Sequence, residues 1–389
     1  MIDIYSTFLE YKINKKNSKK YFIGESIIPY NKYKVDKSDF IADNHWNDRN
    51  KAHEKANLIN SLRTNLMPEI SKELNNIHNI NFSSSSWNLI LGNWFNQFTG
   101  VIIDRYLSIE NIFKNENNFN FYTYKNTKIK DLIPNDTKDA QFKFTENDIW
   151  NNLFFIFLIK EIIKIKNINN IKIISYKLQE STKKIVHKKQ LLSSYILLFK
   201  NILKFIFKLF LKINFRKTKK VIVFLNPSIS LFKILKLKIR LRSSIYLEPK
   251  FPDLGSYFYE PKLRSWKINE DKDDPIEVKL IKRLIPLFIP KSFIEGFPTI
   301  MTDLTKHHMK IKSNIVFTSS CHYTGFDIKK IWMALQKENG SKLIIGQHGG
   351  SLHKFNINTD FEREIADKVL VHGKELFNCK KAENVGQYW

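Results

Sequence analysis

Lys342-Leu343-Ile344-Ile345-Gly346-Gln347-His348-Gly349-Gly350 is an apolar strand signal that runs directly into a glycine-rich turn carrying one histidine. A short apolar run bounded by glycine reads as a strand. Working backwards, Gly340 stops a helical pattern over Asp327 to Glu338, and Ile315-Val316-Phe317 precedes that helix as another strand. Strand, helix and strand within about thirty residues make a βαβ unit, which is right-handed and parallel. Working forwards, residues 360–366 supply a second helix and Lys368–Val371 a further strand. Val221–Leu225, stopped by the turn signal Asn226-Pro227, is an earlier strand of the same kind. The fold class expected is α/β, with a Rossmann-like parallel sheet over residues 220–389.

Upstream the period changes. Leu58, Ile59, Leu62, Leu66, Ile70, Leu74 and Ile77 recur at helical spacing, with Pro68 expected to break or kink the helix. The serine run Ser83–Ser86 can cap a second helix whose face is Trp87, Ile90, Leu91, Trp94, Phe98, Val101 and Ile102, ending near Asp104-Arg105. Residues 114–147 read as a loop, with room for a short hairpin, and 149–166 as a buried helix. Three regions are expected: an extended, mainly helical N-terminal region (1–147), a helical segment (148–219) and the α/β domain (220–389). Within the second, Lys200, Lys204, Lys208 and Lys212 recur every four residues in an apolar stretch over 193–214. Two readings stay open for it: a core helix with one solvated edge, or a helix lying on an anionic membrane surface.

A hydrophobic content of 43% is ample for a packed core. The formal charge of +26 invites a nucleic-acid partner, but lysine is scattered among Asn and Ile, and no nucleic-acid module is recognisable, so none is expected. Phosphorylated ligands or anionic lipid fit the charge at least as well. Two cysteines, Cys321 and Cys379, form no disulfide framework, which points to a reducing compartment. The first residues carry no apolar signal-peptide core, and no uncharged run approaches the roughly 18 residues that span a bilayer. A cytoplasmic protein, with the inner membrane face as its alternative station, is the expectation.

The chemistry follows from the strand ends, because ligands in open α/β sheets bind outside the carboxyl ends of strands. Three such ends are Thr318-Ser319-Ser320, Gln347-His348-Gly349-Gly350 and His372-Gly373. His348 is placed to deprotonate a hydroxyl nucleophile. The Gly349 and Gly350 amides can hold an oxyanion or phosphate oxygen, with Gln347, Ser319, Ser320 and His372 contacting substrate. The bland alternative is a glycine turn whose histidine bonds only backbone. No histidine set has zinc-ligand spacing, Cys321-His322 is an isolated pair, and Walker A, GxGxxG and GxSxG motifs are absent, so neither metal nor cofactor is expected. Near the N-terminus, His45-Trp46-Asn47-Asp48-Arg49 and the later Asp104-Arg105 admit two roles, ligand contact or structural ion pairing.

Several patches together resemble a family of transferases from bacterial surface-polysaccharide and O-antigen gene clusters. They are Phe22-Ile23-Gly24-Glu25, His45-Trp46-Asn47-Asp48-Arg49, Leu74-Asn75 with His78, Trp87 through Trp94 to Asp104-Arg105, Pro290 to Glu295, Thr318-Ser319 and Gly346-Gln347-His348-Gly349-Gly350. The chain departs from the family at Ser351-Leu352-His353 and at His372-Gly373-Lys374. The resemblance implies a glycosyltransferase-B-like arrangement, of which the parallel sheet is one half. It implies transfer of a sugar from a nucleotide-activated donor to a saccharide or lipid-linked acceptor, with His348 as base. It also implies further sequence beyond Trp389, so a donor-binding half is expected to be missing. A non-catalytic acceptor-binding module, or an inactive fragment, is the alternative.

Overall fold

The computed structural model describes residues 2–7, 20–24, 39–115, 119–124, 128–166, 171–176, 220–247, 249–307, 311–323, 325–347, 357–371 and 380–386. The 193–214 stretch, His348, Gly349, Gly350 and His372 lie outside them. In chain order the described helices are α1 (Arg49–His78), α2 (Ser84–Asn115), α3 (Ile129–Leu132), α4 (Thr137–Thr145), α5 (Asp148–Lys166), α6 (Leu231–Leu241), α7 (Ile276–Phe288), α8 (Phe297–His307), α9 (Asp327–Glu338) and α10 (Ile357–Ile365). The chain folds into two compact units that do not follow the linear order. One comprises Met1–Asn81, Leu91–Gln179 and Gly255–Pro298, the other Phe82–Ile90, Glu180–Leu254 and Thr299–Trp389.

The first unit holds a five-stranded sheet of β1 (Ile2–Tyr5), β2 (Lys20–Phe22), β3 (Phe40–Ile41), β4 (Phe119–Tyr124) and β5 (Ile171–Tyr176), in the order β3-β2-β1-β4-β5. All its pairs are parallel. The sequence reading has helices and loop here, with room only for a short hairpin in 114–147. Three of these strands are four residues or fewer, too short for an alternating pattern to show. The stretch read as loop over 114–147 in fact carries β4, α3 and α4, and α2 runs on past Asp104-Arg105 to Asn115. Pro68 sits inside one continuous α1. Buried side chains on both sides of it, Leu66 and Met67 before and Ile70 and Leu74 after, hold the two halves in register despite the missing amide donor.

The core of this unit is aromatic. Phe98 of α2 is buried, with ring centroids 5.1 Å from Trp94, 5.8 Å from Phe144, 5.9 Å from Phe154 and 5.2 Å from Phe288. Four helices thus share one ring, and each such pair contributes about 0.5–1.5 kcal/mol beyond its burial.

The second unit holds the four strands and two helices that the sequence predicts over 221–371, with two more strands (Ser244–Leu247 and Ala382–Asn384) and α6 added to them. Its strands are β6 (Val221–Leu225), β7 (Ser244–Leu247), β8 (Ile315–Thr318), β9 (Lys342–Gly346), β10 (Lys368–Val371) and β11 (Ala382–Asn384). They pair in the order β11-β10-β9-β8-β6-β7, all parallel. Ile222, Phe224, Ile245 and Phe317 close one core cluster together with Ile234 of α6. Gly340 ends α9 at φ 87°, the left-handed conformation that a helix stop asks of glycine.

The α/β class with Rossmann-like parallel sheets is therefore the architecture of both units. The first sheet has the strand order 3-2-1-4-5 in its own numbering, the second 2-1-3-4-5-6. Each reverses direction once, and in doubly wound folds that switch point is where the crevice opens at the carboxyl edge.

Candidate functional site

In the second unit the switch point lies between β6 and β8. β6 is followed by Asn226-Pro227-Ser228, in which Asn226 (φ 44°) and Ser228 (φ 43°) both take the left-handed conformation. Two such non-glycine residues in three positions mark a turn held by its surroundings. Lys329 of α9 donates from Nζ to Asn226 Oδ1 at 2.9 Å, and the Ser319 amide donates to the Asn226 carbonyl at 3.1 Å. Ser319 Oγ donates to the Pro227 carbonyl at 2.6 Å. Ser230 then caps α6, its Oγ accepting from the Lys233 amide at 3.3 Å. The result is a braced loop delivering a helix N-terminus to the carboxyl edge of the sheet, an arrangement that favours anions.

Ser319 is fully buried and its hydroxyl proton is committed to Pro227, so it shapes the turn rather than standing open to a ligand. Ser320 is half-buried one residue on, its carbonyl accepting from the Tyr323 amide. Gln347 is buried at the end of β9, and its amide donates to the Leu370 carbonyl at 2.8 Å. Thr318 and Ile345 are register partners, so Ser319, Ser320 and Gln347 share one edge of neighbouring strands.

One pair escaped the sequence reading. His322, set aside there as an isolated neighbour of Cys321, is buried, and its Nε2 lies 2.8 Å from Glu362 Oε1 of α10. The carboxylate stands forty residues downstream, beyond any motif spacing, which is why no signal led to it. A carboxylate on one ring nitrogen fixes the imidazole's orientation and tautomer.

In the first unit, His45-Trp46-Asn47-Asp48-Arg49 follows β3 and leads into α1. Asp48 is the N-cap of α1, its Oδ1 accepting from the Asn50 amide at 2.9 Å and the Lys51 amide at 3.2 Å. Arg49 is the exposed first residue of that helix. His45 Nε2 lies 3.0 Å from Asp104 Oδ1, and Trp46 donates from Nε1 to the same oxygen at 2.6 Å. Arg105 pairs with Asp104 Oδ2, donates from Nη2 to Asn151 at 2.9 Å and sits over the Phe155 ring. Burial works against the Asp104 carboxylate, but the His45 and Trp46 hydrogen bonds and the Arg105 charge together hold it below the usual carboxylate range. His45, Asp48, Asp104 and Arg105 are thus locked into structural pairs or caps, while Arg49 stands exposed.

Beside this clip opens a cavity of about 430 Å³ lined by Asp48, Lys51, Lys55, Tyr106, Glu110 and Glu277, among others. Lys55 donates to Glu277 at 3.2 Å, and Tyr106 to Glu110 at 3.1 Å. Burial opposes the Lys55 charge, yet the carboxylates of Glu277 and Glu54 raise its pKa. Burial, with Glu110 beside it, raises the Tyr106 hydroxyl, which stays protonated. Such walls offer alternating donors and acceptors, the surface a polyhydroxylated molecule needs.

Comparison with curated proteins and with solved structures finds no match. The profile of the LIC12162 family transferase matches residues 4–386, nearly the whole chain, and the protein belongs to that family.

Proposed function

We propose that this transferase moves a sugar from a nucleotide-activated donor to a hydroxyl of a saccharide or lipid-linked acceptor, in the assembly of a cell-surface polysaccharide. The observation that carries the reading is the pair of doubly wound units, each with its own switch point, in one chain. One parallel-sheet unit for each substrate is the logic of the glycosyltransferase-B arrangement, and on this reading the donor half expected beyond Trp389 is assigned instead to the second unit of this chain. The braced N-terminus of α6 suits the donor's diphosphate. The polar cavity of the first unit suits a hydroxylated acceptor.

In the reaction, an acceptor hydroxyl attacks the anomeric carbon of the donor while the bond from that carbon to the diphosphate oxygen breaks. The hydroxyl proton passes to His348, and the nucleoside diphosphate leaves. Gln347, next to His348 in sequence, and the amides of Gly349 and Gly350 are assigned to the substrates, with Ser320 and His372 at neighbouring strand ends. Amide dipoles and lysine cations stabilise the charge that develops on the leaving group.

The test begins with binding of nucleoside diphosphates to the full chain by calorimetry, followed by turnover of the bound nucleotide's sugars with saccharide acceptors. Donor-dependent turnover that falls by a factor on the order of 10² or more in His348→Ala supports the reading. Acceptor binding with no nucleotide binding would reduce the protein to a saccharide-binding module. Near-normal turnover of His348→Ala would remove that histidine from the mechanism.

A further inference from the structure

Exposed large apolar side chains in the second unit concentrate on one element and the strand beside it. Phe232, Leu237, Ile239 and Leu241 of α6 and Tyr246 of β7 are all exposed, with Phe232 at 56%, Ile239 at 60% and Leu241 at 54%. Among the described residues β7 is an edge strand of the sheet, and α6 is the helix that precedes it. The buried face of α6 is satisfied by Ile234, which sits in the core cluster, with Leu235 packed against it. The exposed apolar residues are therefore surplus to the fold, and a patch of this kind on a protein surface marks contact with something else.

What it contacts is set by the charges between those residues. At 100° per residue, Phe232 and Ile239 lie on one flank of the helix and Leu237 and Leu241 on the other. Lys233, Lys236 and Arg240 project between them, and all three are exposed. Lys236 Nζ lies 4.6 Å from the Phe232 ring centroid, its stem laid along the apolar flank. Arg242 follows at the helix end, and no acidic residue occurs anywhere between Lys220 and Leu247. A second copy would set these cations against their own images. A nucleic acid would meet the phosphate-binding cations but would leave Leu237, Ile239 and Leu241 facing polar backbone. An anionic lipid surface satisfies both sets, with phosphates at the cations and acyl chains at the flanks.

We propose that α6 and the edge strand β7 form a membrane-docking face, which lays Phe232, Leu237, Ile239 and Leu241 into the interface of an anionic bilayer while Lys233, Lys236 and Arg240 hold its lipid phosphates. No described helix is long and apolar enough to cross a membrane, so attachment through this face is peripheral. The proposal does not depend on the sugar-transfer reading, although that reading uses the N-terminus of the same helix.

The test is flotation of the full chain with phosphatidylcholine vesicles, with and without phosphatidylglycerol. The chain is expected to float only with the anionic vesicles. Each basic side chain near an anionic surface contributes about fivefold in partitioning, so K233Q/K236Q/R240Q is expected to weaken binding by about a hundredfold. F232S/I239S is expected to abolish the binding that survives at high salt. A second measurement does not depend on losing anything: the fluorescence of Ile239→Trp, above the parent's background, should be quenched by brominated lipid. Three results would overturn the proposal: unchanged flotation of both variants, binding lost only when Lys200, Lys204, Lys208 and Lys212 are replaced, or no lipid quenching at position 239. If K233Q/K236Q/R240Q lost affinity for a duplex oligonucleotide while keeping its affinity for vesicles, the face would be a nucleic-acid surface instead.

Discussion

The two parallel sheets of this protein are secured in different ways. In the second unit, short polar side chains stitch strand ends to neighbouring turns. Asn314 Oδ1 accepts from the Val221 amide at 2.8 Å, Asp367 Oδ2 from the Leu343 amide at 2.7 Å, and Gln336 Oε1 from the Ser313 amide at 3.0 Å. The second unit also has buried acid–base pairs, His322–Glu362 and Lys330–Asp327, but in the first unit the strands are shorter, and an aromatic cluster and a buried guanidinium join residues far apart in the chain. Arg264 shows the pattern. Its guanidinium donates from Nε and Nη2 to Glu295 at 2.8 and 2.7 Å, and from Nη1 to the carbonyls of Leu287 and Ile289 at 2.9 and 2.8 Å, closing the end of α7. Stitches of the first kind can fail singly. A buried cation with four or more partners cannot.

That difference is most directly broken at Arg264. The pair is buried on both sides, at 0% and 5% exposure. Arg264→Ala leaves a buried carboxylate without its cation and should cost about 3–5 kcal/mol. Hydrogen exchange, read peptide by peptide in the intact chain, should show the loss across α5 and α7, with β8 and β9 still protected. Equal loss in both units would mean that they unfold together and that the contrast has no thermodynamic content.

The next effect is a pH dependence confined to the first unit. His78, the last residue of α1, lies with Nε2 3.0 Å from the Phe293 carbonyl and stacks on Phe297 at 4.3 Å. Burial pushes its pKa down to about 4, against smaller upward pulls from the Phe293 carbonyl and Glu295. In the unfolded chain the imidazole takes its proton near the ordinary value of 6.5. Between those values the unfolded state therefore holds more protons, and stability falls as pH falls. The contribution is fully present above about pH 6.5 and is lost progressively down to about pH 4, on the order of 3 kcal/mol in all. His78→Phe should flatten the urea-midpoint profile between those limits for α1 peptides. A profile as steep as the parent's would assign the pH dependence to other groups.

The same contrast explains what was legible in the sequence. β6, β8, β9 and β10 each announce themselves by a local apolar run, and α9 by its period and the Gly340 stop, so four strands of the second sheet can be drawn from residues 220–371, while β7 and β11 carry no such signal. Strands such as Lys20–Phe22 and Phe40–Ile41 carry too few residues for any period, and they are strands through their pairing, the first with β1 and the second with the first. The site divides likewise. Ser319, Ser320 and Gln347 follow from strand ends, and Asp48 from its place ahead of a helix. The His322–Glu362 pair and the acid- and lysine-walled cavity need contacts over forty residues or more, which no spacing rule contains. The helix α6, with its exposed apolar flanks, fell between two signals and went unread.

A smaller effect sharpens the comparison within the first unit. Asp104 accepts from Trp46 and pairs with Arg105 and His45, but it remains partly open to solvent, at 24% side-chain exposure. Asp104→Ala should therefore cost about 1–2 kcal/mol, less than Arg264→Ala, because water can reach the groups it abandons. Exchange in residues 44–52 should rise while the Phe98 cluster stays protected. A loss as large as that of Arg264→Ala would make the clip a fixing point of the whole unit.

The smallest effect tests the stitches of the second unit at their most site-directed member. Ser319→Ala removes one hydroxyl and leaves the Pro227 carbonyl without that donor, for about 1 kcal/mol. The Ser319 amide still donates to the Asn226 carbonyl, and Lys329 still holds the Asn226 side chain, so the left-handed turn has two braces left. Global stability should barely move. The turn precedes the N-terminus of α6, however, and a displacement there shifts the amides assigned to the donor diphosphate. Nucleoside diphosphate affinity, measured by calorimetry, should therefore fall by more than the stability change alone predicts. If Ser319→Ala and the parent bind nucleotide equally while stability drops by the expected amount, the hydroxyl holds only the sheet. The anion site would then rest on Lys329 and the helix end, which Lys329→Met addresses next.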